Sequence, residues 1–220
     1  DRLRSRGLGD VYKRQDVLLN QHTADNKPKS IVVTTGTGSG KTECFMMPLV
    51  HDLSLHAQPG MIQALFLYPL NALMEDQKER LEELLTRAEE TTGTRLTYTV
   101  YNGDLPEMEP KSTDTSDDAN KLRKRIEQIT GGIYEFVQTD PNEKGHFELK
   151  NAKYSHMVYT RKDVRNNPPH IVLTNPTMLE YILLRGSDAN LIVAGRNSLR
   201  WIAIDETHSY TCLLYTSPSP

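Results

Sequence analysis

At 220 residues the chain has room for one large domain or two small ones, at roughly 100–200 residues per domain. It is polar, with 37 % hydrophobic residues and a mean hydropathy of −0.57, and no apolar run reaches the roughly 18 residues of a transmembrane span, so a membrane role is not expected. With 26 basic residues against 29 acidic ones, the formal charge of −3 excludes nucleic-acid binding by bulk charge; any such contact must be local.

In chain order, the β-branched run Ser30-Ile-Val-Val-Thr-Thr35 predicts a buried strand. It leads directly into a glycine-rich loop, after which Phe45, Met46, Leu49, Val50 and Leu53 recur at helical spacing and predict a helix over 43–57. Pro48 inside that stretch predicts a kink or a position in the helix's early turns. A second strand is expected over 63–68, and Pro69 ends it. A long helix follows to about Ala88, with Leu70, Leu73, Met74, Leu81, Leu84 and Leu85 as its apolar stripe. Residues 96–100 alternate as a third strand, closing on the Asn-Gly turn Tyr101-Asn-Gly-Asp104. Residues 170–174 predict a fourth strand. Asn175-Pro176 opens a helix through about Arg185, with Gly186 as its stop. The fifth strand, 199–204, ends on Asp205-Glu206. Strands alternating with helices, the strands nearly all apolar, predict an α/β fold: a mostly parallel sheet with helices on both faces.

Residues 105–160 interrupt this alternation as a polar α+β insertion. An acidic stretch over 106–118 precedes a helix over 120–130, whose basic run at 121–125 is expected to be a solvated helix face. Gly131-Gly132 stops that helix, and 133–138 with 146–149 form a candidate hairpin.

The two ends differ from the middle. Residues 1–15, DRLRSRGLGDVYKRQ, and 212–220, CLLYTSPSP, resemble translated sequencing-adapter read-through; a basic arm and a flexible Ser/Pro tail are the alternative. On the first reading the native part is 16–211, an internal piece of a longer protein. It then carries 21 basic against 27 acidic residues, a net charge of −6. The cysteines, Cys44 and Cys212, form no C-x-x-C pair and no disulfide framework, which fits a reducing cytoplasm. The seven histidines show no metal-ligand spacing.

The loop Thr35, Gly36, Thr37, Gly38, Ser39, Gly40, Lys41, Thr42 has the chemistry of a phosphate cradle. Glycines let backbone N–H groups turn inward around phosphate oxygens, and the following helix N-terminus adds partial positive charge. Lys41 would reach the β and γ phosphates of ATP, and the Thr42 hydroxyl would coordinate Mg²⁺. The strict pattern departs at one position, where Thr35 stands for the first glycine. An acidic pair at another strand end would complete an ATPase site. Asp205 would hold Mg²⁺ and Glu206 would polarise the attacking water, which makes Lys41, Asp205 and Glu206 the candidate catalytic group.

In this order the segments resemble the first RecA-like motor domain of superfamily 2 DExH/DEAD-box helicases. Thr35 to Thr42 is similar to motif I, Tyr68-Pro-Leu-Asn-Ala-Leu73 to motif Ia, and Tyr101-Asn-Gly-Asp104 to the glycine motif. Thr174-Asn-Pro-Thr-Met-Leu179 is similar to motif Ib and Asp205-Glu-Thr-His208 to motif II. The wording around 167–176 and 199–210 resembles the large bacterial Lhr-like and related repair or phage-defence helicases. Two departures stand out: Thr207 replaces an alanine, and Cys212 stands where a glycine is usual.

The resemblance implies a nucleic-acid-dependent ATPase that couples hydrolysis to unwinding or translocation, with ATP and Mg²⁺ as cofactors. His208 would couple the sites, and Pro69, Asn71, Gly103, Thr174 and Pro176 would contact the nucleic acid, DNA rather than RNA. It also implies a second RecA-like domain whose arginines accelerate phosphoryl transfer, so this chain alone is expected to turn ATP over hardly at all. A restriction-system translocase subunit and a binding module without turnover are the alternatives. No L-S-G-G-Q-like stretch precedes Asp205, which disfavours a transporter ATPase.

Overall fold

The computed structural model describes residues 41–138 and 145–206. The expected strand over 30–35, most of the phosphate loop, His208 and both unusual ends lie outside them. The described elements begin with α1 (Lys41–His56), β1 (Ala64–Leu67), α2 (Asn71–Thr92) and β2 (Tyr98–Tyr101). The intervening block contributes α3 (Asp117–Thr130), β3 (Ile133–Val137) and β4 (His146–Lys150). Then come α4 (Arg161–Asn166), β5 (Ile171–Thr174), α5 (Pro176–Leu184), a 3-10 turn (Gly186–Asp188), α6 (Ala189–Gly195) and β6 (Trp201–Ile204).

Four strands pair in parallel in the order β2-β5-β1-β6. Their period-two alternation sorts the core. Phe66, Ile171 and Leu173 face α1 and α2 through Leu49, Leu53, Met74 and Leu81. Val172 and Leu65 face the other way, toward Val164, Ile182 and Leu191 on α4, α5 and α6. β5 is buried on both faces along its whole length, which is why its sequence reads as an unbroken apolar run.

The register sets up everything that follows. Leu67 lies opposite both Thr174 and Ile204, and Thr174 lies opposite Tyr101, so the four strands end in one row. The residues just past that row, Tyr68, Asn102, Asn175 and Asp205, lie along one edge of the sheet.

The insertion is built as expected in outline, with differences in detail. β3 and β4 form an antiparallel hairpin, and Gly131 ends α3 with a left-handed φ of 66°. The helix starts at Asp117 rather than 120, because the Ser116 hydroxyl accepts from the Ala119 N–H at 3.2 Å and caps it. The basic run is not a uniformly solvated face. Arg123 is 4 % exposed, lies 3.9 Å from the Phe147 ring centroid, and donates to Lys111 O at 2.9 Å. The returning chain covers the outer edge of β2, where Tyr98 N donates to His156 O at 3.0 Å and Val158 N to Tyr98 O at 2.8 Å.

α1 continues through Pro48 as one helix. α4, the 3-10 turn and α6 have no counterpart among the sequence-based expectations, which end the helix after β5 at Gly186; that glycine opens the 3-10 turn. Among the described residues no helix is long and apolar enough to cross a membrane.

Candidate functional site

α1 runs antiparallel to the strands. Asp52, late in the helix, meets Arg200 and Trp201 at the start of β6, whereas Phe45, seven residues earlier, packs edge-on against Phe66 at 5.7 Å. Phe66 pairs in register with Ala203, further along the sheet. From Asp52 back to Lys41 the helix rises about 16 Å at 1.5 Å per residue. From Arg200 forward to Asp205 the strand advances about 16 Å at roughly 3.3 Å per residue. The helix N-terminus, with Lys41 and Thr42, therefore stands level with Asp205 at the strand-end edge.

Thr42, the second residue of α1, is 9 % exposed. Asp205 is half-buried; its N–H donates to Leu67 O at 3.0 Å, continuing the sheet, and its Oδ1 accepts from the Glu206 N–H at 2.9 Å. Glu206 is exposed and holds a left-handed φ of 48°, a conformation that a non-glycine residue adopts at a cost. A hydroxyl and a carboxylate are hard oxygen donors of the kind Mg²⁺ takes beside phosphate oxygens, so the residues present fit that ion. Among the described residues no cluster of three or more His, Cys, Asp or Glu could hold a metal, as a chelated transition-metal site would need.

The expected nucleic-acid residues lie along the same edge. Pro69 is half-buried, Asn71 is exposed at the start of α2, Gly103 is exposed after β2, and Pro176 is the first residue of α5. Thr174 is different: it is fully buried, and its hydroxyl donates to Tyr101 O at 2.7 Å, so that group supports the neighbouring turn. Asn175 caps α5, its Oδ1 accepting from Met178 N at 2.8 Å, while its Nδ2 donates to Asn71 Oδ1 at 2.9 Å. The starts of α2 and α5 are thus tied together.

Several residues around the site were not singled out from the sequence. Asp188, 1 % exposed, accepts from the Tyr101 hydroxyl and from Arg165 Nε, each at 2.9 Å. Burial first, then the hydrogen bond to Asp188, pushes the Tyr101 phenol above its usual range. Glu43 on α1 pairs with Arg80 on α2 at 3.0 Å. Ion pairs joining distant segments leave no pattern in the sequence.

Comparison with known proteins adds to this geometry. The model of the DEAD/DEAH box helicase family matches residues 13–158. Druantia protein DruE of Escherichia coli (strain UMEA 4076-1) is 24 % identical over 253 aligned positions, covering 92 % of this chain and 14 % of that protein. The uncharacterized ATP-dependent helicase YprA of Bacillus subtilis (strain 168) is 27 % identical over 208 positions, covering 94 % of this chain and 19 % of its own length. The chain spans less than a fifth of either relative. No solved structure matches.

Proposed function

The chain belongs to the DEAD/DEAH box helicase family, and from that premise we propose that it forms the ATP-binding first motor domain of a nucleic-acid-dependent helicase or translocase acting on DNA. The observation that carries this reading is the common row of strand ends. It sets Asp205-Glu206 level with the start of α1 and aligns Asn71, Gly103 and Pro176 along the same edge.

In this reading the loop 35–40 and Lys41 hold the phosphates of ATP, helped by the partial positive charge of the α1 N-terminus. Thr42 and Asp205 are the residues that would hold Mg²⁺, which when bound offsets phosphate charge. Glu206 accepts a proton from the attacking water. The nucleic acid lies over the starts of α2 and α5 and the Gly103 turn. There, helix N-termini and backbone N–H groups bind phosphate without requiring a basic surface. That arrangement suits a chain of net charge −3.

The test is a titration of the chain with ATP and Mg²⁺. Lys41→Ala abolishes binding; normal binding by that variant sinks the phosphate-loop assignment. Competition between matched DNA and RNA oligonucleotides decides the nucleic-acid type.

A further inference from the structure

The turn after β2 is held in an unusual way. Seven successive carbonyls, from Tyr101 to Glu107, all accept hydrogen bonds from outside the turn. Tyr101 O accepts from the Thr174 hydroxyl at 2.7 Å. Arg161 donates from Nη2 to Asn102 O at 2.8 Å and from Nε to Leu105 O at 3.1 Å. Arg125 donates from Nη2 to Gly103 O at 3.2 Å and from Nε to Asp104 O at 2.8 Å. The first N–H groups of α4 complete the series, with Arg161 N to Pro106 O at 2.8 Å and Lys162 N to Glu107 O at 2.9 Å.

Two of these donors are guanidinium forks, each spanning two carbonyls. Arg125 comes from α3, inside the insertion, and Arg161 opens α4, directly after it. The planar fork matters: a lysine carries one donor nitrogen and cannot bridge two carbonyls in a fixed plane. Arg161 also lies 5.1 Å from the Tyr101 ring centroid, which fixes its own orientation.

In a trans peptide the C=O and N–H point in opposite directions. Drawing the Asn102 and Gly103 carbonyls toward the two arginines therefore turns the attached N–H groups away from them. The Asp104 N–H is taken by Asn102 Oδ1 at 2.9 Å. The Gly103 N–H has no partner among the described residues, Gly103 is exposed, and a Cβ built there meets nothing within 4 Å.

We propose that Arg125 and Arg161 are positioning residues for nucleic-acid binding: through them the insertion sets the Asn102–Leu105 turn so that the Gly103 amide faces a nucleic-acid phosphate. The inference rests on the proposed function in one respect, the placement of the Gly103 turn on the nucleic-acid face. It adds a role for the insertion: movement of α3 would be transmitted to the bound strand through Arg125.

The experiment uses the full chain and three variants, Arg125→Ala, Arg125→Lys and Gly103→Ala, with amide hydrogen exchange and titration with a short oligothymidylate over a range of salt. Arg125→Ala speeds exchange at residues 103–105 and weakens oligonucleotide binding about tenfold, as the loss of charged hydrogen bonds implies. ATP affinity stays unchanged. The slope of log affinity against log salt also stays unchanged, because the contact weakened is that of a neutral amide and no cationic side chain leaves a phosphate. Arg125→Lys does not rescue. Gly103→Ala keeps its thermal stability and loses affinity, because the methyl group stands where the phosphate approaches.

Rescue by lysine, together with a salt slope reduced by about one in Arg125→Ala, overturns the proposal in favour of a direct phosphate contact. Unchanged exchange in Arg125→Ala overturns it while leaving the proposed function intact. Altered exchange with an unaffected Gly103→Ala affinity removes the turn from the nucleic-acid face; it overturns this proposal and the Gly103 contact of the proposed function, and leaves the ATP-site reading to its own Lys41→Ala test.

Discussion

Arg200 holds Asp52 through two parallel bonds, Nε to Oδ2 and Nη2 to Oδ1, both 2.8 Å long, and Trp201 Nε1 adds a third to Oδ2 at 2.7 Å. Asp52 is 6 % exposed. Burial alone would raise its pKa, but the Arg200 and Trp201 donors outweigh that and hold the carboxyl below its ordinary value. The clasp joins the helix that begins at Lys41 to β6, the strand that leads into Asp205, so it fixes the two halves of the proposed nucleotide site relative to each other. Arg200→Ala leaves a buried carboxylate without its guanidinium and costs about 2–3 kcal/mol, seen as a melting temperature lower by about 5–10 °C. Arg200→Lys restores only part of the loss, since one ammonium cannot reproduce the two-point contact. A melting temperature unchanged in Arg200→Ala would show that the clasp contributes nothing.

Glu206 follows Asp205 with a left-handed backbone, its N–H closed onto Asp205 Oδ1. A glutamine has the same shape and the same backbone demands but cannot take up a proton. Glu206→Gln therefore preserves ATP affinity within about twofold and slows hydrolysis by about 10²–10⁴-fold, the usual contribution of a general base. Single-turnover hydrolysis with the chain in excess over ATP measures this even where the rate is low. A variant that hydrolyses at the parent rate removes Glu206 from the chemistry.

At the far side of the same edge, Asn175 does two things with one amide: Oδ1 caps α5 and Nδ2 reaches Asn71. Substitutions separate the roles. Asn175→Ala loses the cap and costs about 1 kcal/mol. Asn175→Asp keeps an acceptor for Met178 N and so keeps stability. It loses the donor to Asn71 and adds a negative charge beside the proposed strand. Denaturant melts place the Asp variant near the parent and the Ala variant below it, while oligonucleotide titration ranks the Asp variant weakest. Equal affinity for all three would argue that no phosphate approaches Asn175.

What the sequence made legible follows from which interactions have a local signature. β5 reads as Ile-Val-Leu-Thr because both faces of the sheet are covered, and α2 shows its stripe because Met74, Leu81 and Leu85 line one side. Strand order was not legible: β1 pairs with β5 and β6, more than 100 positions away, and neither run of residues marks its partner. α4 and α6, of 6 and 7 residues, are too short to show a period and are held by tertiary contacts such as Arg165 with Asp188. In the proposed site, Lys41, Thr42, Asp205 and Glu206 could be singled out from the sequence because the chemistry expected of them lies in residue type. The grip of Arg125 and Arg161 is not, because its acceptors are backbone carbonyls, which every residue carries. A basic run on a helix therefore reads as solvent-facing even where it holds a loop.

His156 sits almost fully buried between two carboxylates of α2, with Nδ1 2.8 Å from Glu82 Oε1 and Nε2 2.8 Å from Glu89 Oε2. An acceptor at each ring nitrogen requires both to carry hydrogen, which is the charged imidazolium. The hydrogen bond to Glu82 is the largest influence. With Glu89 it raises the His156 pKa above 6.5, against burial and the nearby Arg95. A base whose folded pKa is raised contributes stability that is fully present below its unfolded pKa. That stability is lost as pH rises through the folded value, and each tenfold gain in proton affinity on folding is worth about 1.4 kcal/mol. His170 works in the opposite sense. Burial lowers its pKa, its Nδ1 accepts from Thr97 N–H at 3.0 Å, and its contribution is lost as pH falls below 6.5. Urea melts across this range should show two separate declines in stability, one on the acid and one on the alkaline side of 6.5. His156→Gln removes the alkaline decline, together with the clasp that pins the returning insertion to α2, and leaves the acid one in place. An alkaline decline that persists unchanged in His156→Gln would mean that His156 is neutral in the folded protein.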